Sequence, residues 1–219
     1  MSLQQQLGEY LAEWRRRVPA ERQAIVERHI EQLRTGVIAR SMLKAGDRAP
    51  AFALPDAKGG MVDLGTLLRK GPVIVTFYRG GWCPYCNLEL KAFQEVLPQI
   101  KAAGASLVAI SPEKPDDTLS TAEKNALAFA VLSDVGQTVG RAFRLVYDFS
   151  DELRSAYEGF GRDIPALNGT PGEWALPIPA TYVVDRDGTI TYACANMDYR
   201  DRADPRDVLA VLAKAAAAA

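Results

Sequence analysis

The chain has 219 residues, a formal net charge of -1, 24% charged residues and 48% hydrophobic ones, which suits one sizeable globular domain with additions. So small a net charge offers no basic field for nucleic acid or an anionic membrane surface, and no apolar run is long enough to span a bilayer. Three cysteines are too few for a secreted disulfide scaffold, and a single histidine, His29, removes most metal and histidine-based catalytic options.

The opening residues, Met1-Ser2-Leu3-Gln4-Gln5-Gln6, lack the charged-then-apolar pattern of a signal peptide, so a cytoplasmic location is expected. Leu3, Leu7, Tyr10, Leu11 and Trp14 fall on one face of a helix. Pro19 interrupts it, and a second amphipathic stretch runs through Ile25, Val26, Ile30 and Leu33 to Gly36. This pair reads as an N-terminal helical extension over residues 1–40, packed on the main domain or on another subunit. His29 lies within it, as a solvated or packed helix residue.

A main domain over residues 41–219 follows. Phe52 and Leu54 alternate before a turn at Asp56-Ala57-Lys58-Gly59-Gly60. Val73–Tyr78 and Ser106–Ser111 read as buried strands, with a helix from Pro84 between them. Helix 118–128, strand 129–133 and helix 135–145 continue the alternation. The stretch 148–179, dense in Gly and Pro, reads as a long irregular loop of the kind that covers a site, with Tyr157, Phe160 and Trp174 as candidate cleft residues. Ala180–Asp185 and Thr189–Cys194 form a hairpin about Arg186-Asp187-Gly188, and an alanine-rich helix from Pro205 ends the chain, its last residues expected to fray. Strand–helix alternation with one late hairpin implies an α/β sandwich with a mixed sheet.

The chemistry concentrates at Tyr78-Arg79-Gly80-Gly81-Trp82-Cys83-Pro84-Tyr85-Cys86. A buried strand ends, two glycines turn the chain, and Cys83 falls just before a helix whose first residue is Pro84. The unpaired amides and positive end of that helix stabilise a thiolate and should depress the Cys83 pKa. Cys86 lies within the first turn, close enough to close a short disulfide ring. A zinc site needs four ligands, and only Cys194 and His29 remain without metal-type spacing. No Gly-x-Gly-x-x-Gly follows a strand, so no cofactor is expected.

Trp82-Cys83-Pro84-Tyr85-Cys86 resembles the active site of thioredoxins. The wider pattern resembles the peroxiredoxin-like branch of that superfamily, the alkyl hydroperoxide reductase/thiol-specific antioxidant family. It is carried by Gly46–Asp56, the strand into Phe77-Tyr78-Arg79-Gly80, Val108–Pro112, Val131–Asp134 and Thr181–Gly188, together spanning about residues 45–194. The resemblance implies a thioredoxin-like α/β sandwich, a mixed central sheet flanked by helices. It also implies a thiol-based oxidoreductase that reduces peroxides through a dithiol/disulfide cycle.

Aligned with the family pattern Pro-x-x-x-Thr-x-x-Cys, Arg79 occupies the proline place, Cys83 the threonine place and Cys86 the peroxidatic place. Pro179 stands where the family carries an arginine and where thioredoxin-like reductases carry a cis-proline packed on the dithiol, so a cis Pro179 is expected. Arg79, Trp82, Pro84, Tyr85 and Pro179 are the expected support for Cys83 and Cys86. Glu89, one turn after Cys86, reads as a solvated helix glutamate, and Cys194 as an inert thiol rather than a resolving one.

Two enzymatic readings stand. A peroxide is reduced with Cys86 peroxidatic and Cys83 resolving, or Cys83 attacks a disulfide and Cys86 displaces it. Either takes a thioredoxin-like or small-thiol reductant and leaves homodimerisation open. A redox-responsive binding module that uses the helical extension is the non-enzymatic alternative.

Overall fold

The computed structural model describes residues 1–217. The chain opens with α1 (Leu3–Arg17), α2 (Ala20–Thr35) and a short α3 (Val37–Ser41). Ser2 starts α1 through a capping box with Gln5, and Pro19 precedes α2. A ribbon, β1 (Ala53–Pro55) with β2 (Met61–Asp63), is followed by α4 (Leu64–Leu68). The alternating core then runs β3 (Val73–Phe77), α5 (Pro84–Ala102), β4 (Ser106–Ser111), α6 (Pro115–Lys124), β5 (Ala130–Ser133) and α7 (Thr138–Ala142). After it come β6 (Val146–Asp148), α8 (Asp151–Gly159), α9 (Ile164–Asn168), β7 (Ala175–Pro177), β8 (Ala180–Val184), β9 (Ile190–Ala195) and α10 (Pro205–Ala217). Ala218 and Ala219, the end of the tail expected to fray, lie outside the described residues.

The main sheet has five strands in the order β5-β4-β3-β8-β9. β3 pairs parallel with β4 and antiparallel with β8, so the sheet is mixed as expected. Successive residues of β3 point to opposite faces. Val73, Val75 and Phe77 enter one apolar cluster with Phe143, Leu153, Tyr157 and Ile164. Ile74 enters another with Phe93, Leu97 and Ile100 of α5 and Val208 and Leu212 of α10. Helices therefore cover both faces, which is why this strand carries no polar alternation and is fully buried.

The helical extension packs on its own chain. Leu3 and Leu7 of α1 join Tyr85, Cys86 and Leu90 of α5 in a third apolar cluster. α2 lies against α8, and Glu27 takes a bidentate ion pair from Arg200 at 2.7 and 3.0 Å.

Three expectations are corrected. The stretch 148–179 is not an irregular loop: it holds α8, α9 and the β6–β7 ribbon. Its polar and Gly/Pro residues are punctuation, since the Ser150 and Asp163 side chains accept from Leu153 N–H and Ala166 N–H, and Gly169 takes a left-handed φ of 68° at the end of α9. The helix expected over 118–128 runs Pro115–Lys124, and the one expected over 135–145 is the short Thr138–Ala142. The Ile178–Pro179 peptide is not cis: the described residues contain no cis bond. Ile178 N–H donates to Leu145 O at 2.8 Å, so the chain leaves the β6–β7 ribbon extended and runs directly into β8.

Candidate active site

The site is built on the turn from β3 into α5. Gly80 has φ +143°, and a Cβ there would stand 2.3 Å from Trp82 Nε1 and 2.8 Å from Glu113 Oε1. A Cβ at Gly81 would stand 1.9 Å from Thr121 Oγ1. Both glycines are thus required by close packing. Gly81 N–H donates to Glu113 Oε2 at 2.9 Å, and Asn87 Nδ2 donates to Gly81 O at 2.8 Å, which pins the turn from both sides. Burial pushes the Glu113 carboxyl up to about 7 despite the Gly81 hydrogen bond.

Cys83 is the N-cap residue of α5, with Pro84 opening the helix. Both site cysteines are free thiols; Cys83 is 2% exposed and Cys86 0%. Only Cys83 of the pair reaches a cavity of about 250 Å³, whose walls include Arg79, Trp82, Pro84, Tyr85, Tyr157 and Tyr199. Burial acts to raise the Cys83 pKa, but hydrogen bonding with the Cys86 thiol and the charges of Arg79 and Arg202 outweigh it and bring it to about 5. Burial and the neighbouring Cys83 hold Cys86 well above the ordinary thiol range. The pair therefore shares one negative charge, carried on Cys83.

Arg79 is 2% exposed, and its electrostatic neighbours are Tyr157, Cys83, Tyr147 and Tyr199, with no carboxylate among them. It donates to Tyr157 OH, and its guanidinium sits 4.0 Å from the Tyr199 ring centroid and 5.0 Å from that of Trp82. Tyr85 packs edge-on between Tyr10, at 5.0 Å, and Tyr199, at 5.6 Å.

Behind the dithiol a hydrogen-bonded chain crosses the interior. Thr76 and Thr181 pair across β3 and β8 at 3.0 Å, and Thr181 Oγ1 donates to Glu89 Oε1 at 3.3 Å. Arg202 Nη1 donates to Glu89 Oε2 at 2.6 Å and its Nη2 to Cys86 Sγ at 3.3 Å. Glu89 is therefore not a solvated helix glutamate: it is 2% exposed and ion-paired. Nothing local in the run Asp198–Asp204 marks Arg202 as buried, because its partners lie 113 and 116 positions away. Glu113 and Tyr199 were missed for the same reason.

Of the other expected residues, Pro179 is buried but does not line the cavity. Phe160 lines it beside Tyr157, while Trp174 packs against Phe149 and Arg154. Cys194 is half-buried in the cluster under α10, and burial raises its thiol pKa. His29 packs 4.9 Å from the Tyr147 ring; burial and then Arg79 lower its pKa to about 4.

Residues 45–193 match the profile of the AhpC/TSA family, about two thirds of the chain. This chain belongs to that family. A putative peroxiredoxin of Mycobacterium tuberculosis is 33% identical over 158 residues, covering 71% of this chain and 87% of that protein. Peroxiredoxin Bcp of Escherichia coli is 35% identical over 120 residues, 55% of this chain and 76% of its own. The crystal structure of peroxidoxin BcpB from M. tuberculosis superposes with a TM-score of 0.62 at 24% identity, covering 78% of this chain and 97% of that one, a likeness of fold. The AhpC/TSA protein described here is a peroxiredoxin-like, thiol-dependent peroxidase of thioredoxin fold. Its first 44 residues, with α1 and α2, precede the matched region.

Proposed function

We propose that Cys83 is the peroxidatic thiolate and Cys86 the resolving thiol, the reverse of the order the family alignment suggests. The observation that carries this is Arg79: a buried guanidinium without a carboxylate, lying beside the thiol that reaches the cavity. An uncompensated buried charge is strongly unfavourable, and the Cys83 thiolate is the anion at hand to offset it.

The Cys83 thiolate attacks the terminal oxygen of a hydroperoxide. An S–O bond forms as the O–O bond breaks, the departing alkoxide or hydroxide takes a proton, and Cys83 becomes a neutral sulfenic acid. Loss of that negative charge lifts the repulsion that keeps Cys86 protonated. Arg202, already on Cys86 Sγ, then favours the Cys86 thiolate. Cys86 attacks the Cys83 sulfur, the hydroxyl leaves as water, and a Cys83–Cys86 disulfide closes. A thioredoxin-type dithiol returns the two electrons. Pro84 holds the start of α5, and Trp82, Tyr85, Tyr157 and Tyr199 exclude water around the thiolate. The same reading places the protein in the cytoplasm, where such thiols are kept reduced; no described helix is long and apolar enough to cross a membrane.

Hydrogen peroxide consumption with dithiothreitol as reductant tests the reading in the wild type, Cys83→Ser and Cys86→Ser. Loss of turnover in Cys83→Ser, with partial turnover retained in Cys86→Ser, is expected. Full loss in Cys86→Ser with Cys83→Ser still active restores the alignment order. No consumption above the reagent blank in any form leaves dithiol–disulfide exchange as the reaction.

A further inference from the structure

The cavity in front of Cys83 is much larger than hydrogen peroxide needs. Its volume of about 250 Å³ compares with roughly 30 Å³ for a water molecule in the liquid. Much of the wall comes from outside the family-matched region: Tyr10, Trp14, Arg17, Val18 and Val26 belong to the two N-terminal helices and the turn between them. The extension therefore supplies five of the fourteen residues that line the pocket, a wall that the family-matched region alone does not contain.

The charge on that wall has one sign. Three arginines line the cavity, Arg79 at its base with Arg17 and Arg162 beside it, and no Asp or Glu does. Arg79 is already matched by the Cys83 thiolate. Arg162 is half-buried, stands 5.8 Å from the Trp82 ring centroid, and makes no ion pair among the described residues. Arg17 has a 3.7 Å contact with Glu13, both side chains being more than half exposed, and a long 3.5 Å hydrogen bond to Tyr10 OH, which together hold it weakly. Between these cations the wall is aromatic and aliphatic. A pocket with an apolar body, one cation without an ion pair among the described residues and another held only weakly is complementary to an apolar molecule that carries an anion.

We propose that the extension forms a substrate subsite for organic hydroperoxides that bear a carboxylate, with Arg17 and Arg162 as specificity-determining residues. This rests on the peroxidase reading with Cys83 at the cavity. The –OOH group lies at Cys83, where its O–O bond is cleaved as above. The hydrocarbon lies against Trp14, Val26 and Phe160, and the carboxylate meets the two arginines. The product, the matching hydroxy acid, keeps the carboxylate, so these arginines act on binding rather than on the bond broken.

Three hydroperoxides decide the matter in one assay with dithiothreitol: cumene hydroperoxide 4-carboxylate, its methyl ester, and hydrogen peroxide. The acid should exceed the ester in kcat/KM by about two- to fivefold at low salt, since an exposed charge pair is worth up to about the larger factor. The preference should shrink as salt is raised. In Arg162→Gln and Arg17→Gln the acid-to-ester ratio should fall through the KM for the acid, the ester rate in each variant serving as its internal reference for a folded site. An ester that matches or exceeds the acid in the wild type, with hydrogen peroxide turned over, overturns the subsite alone. A preference that neither variant changes does the same. Turnover of none of the three overturns the peroxidase reading, and the subsite with it.

Discussion

Arg79 is a guanidinium in the interior that no carboxylate among the described residues meets, and on the proposed reading its partner is the Cys83 thiolate. Three aromatic rings hold it by cation–π contact, Tyr157 OH accepts a hydrogen bond from it, and its Nε has no acceptor among the described residues. Replacing it with Met removes the charge that steadies the Cys83 thiolate. The pH midpoint of Cys83 alkylation should then rise from about 5, by roughly one to three units for loss of an adjacent opposite charge. The direction follows from the sign: a cation favours the deprotonated thiol, so the thiolate is lost as pH falls through about 5 in the wild type and through a higher value in the variant. Iodoacetamide alkylation followed by mass spectrometry checks it, and an unmoved midpoint removes Arg79 from the account. The dithiol was legible in the sequence, because Cys83, Pro84 and Cys86 sit in one strand–turn–helix. Arg202 and the buried state of Glu89 were not, because an ion pair across 113 positions leaves no local pattern.

Among the elements, α2 is tied to α8 by the Arg22 bond to Gly159 O and the Arg28–Glu152 pair, and to the segment after β9 by Arg200. Arg200 is 6% exposed in its side chain and bonds both Glu27 of α2 and Asp198, at 2.7 to 3.1 Å. The carboxylates are lowered by this partner: Glu27 chiefly by its hydrogen bond, Asp198 against the cost of its own burial. Glu27→Ala should cost the docked position of α2 about 1 kcal/mol, a roughly fivefold larger open population. Hydrogen exchange in α2 should speed accordingly while β3 and β4 stay protected, and a bulky maleimide should gain on iodoacetamide at Cys83. Equal protection of α2 in both proteins would show that the Glu27–Arg200 pair is dispensable and that Val26, Ile30, Arg22 and Arg28 hold the helix. The elements show where sequence patterns mislead. β3 was readable because five buried positions of β-branched and aromatic residues cannot be a surface helix. α8 and α9 were misread because their Gly and Pro neighbours, which cap and turn, look like loop when counted together.

On the scale of the whole molecule, an AhpC/TSA core carries the dithiol, and the helices before it complete the space the dithiol faces. The order of the core was legible because each strand is an apolar run with its own punctuation. The place of the extension was not, since an amphipathic helix says only that one face is covered; Leu3 and Leu7 against Tyr85 and Leu90 supply the answer. On the proposed reading, the strand β3, the turn after it and the N-terminal helices meet at Cys83 Sγ as the first nucleophile. Trapping tests this most directly: Cys86→Ser is treated with one equivalent of hydrogen peroxide in the presence of dimedone and digested for mass spectrometry. The account predicts a dimedone adduct on Cys83, formed at neutral pH. An unmodified Cys83 there, with an adduct on Cys86 in the reciprocal Cys83→Ser protein, would contradict it and return the peroxidatic role to Cys86.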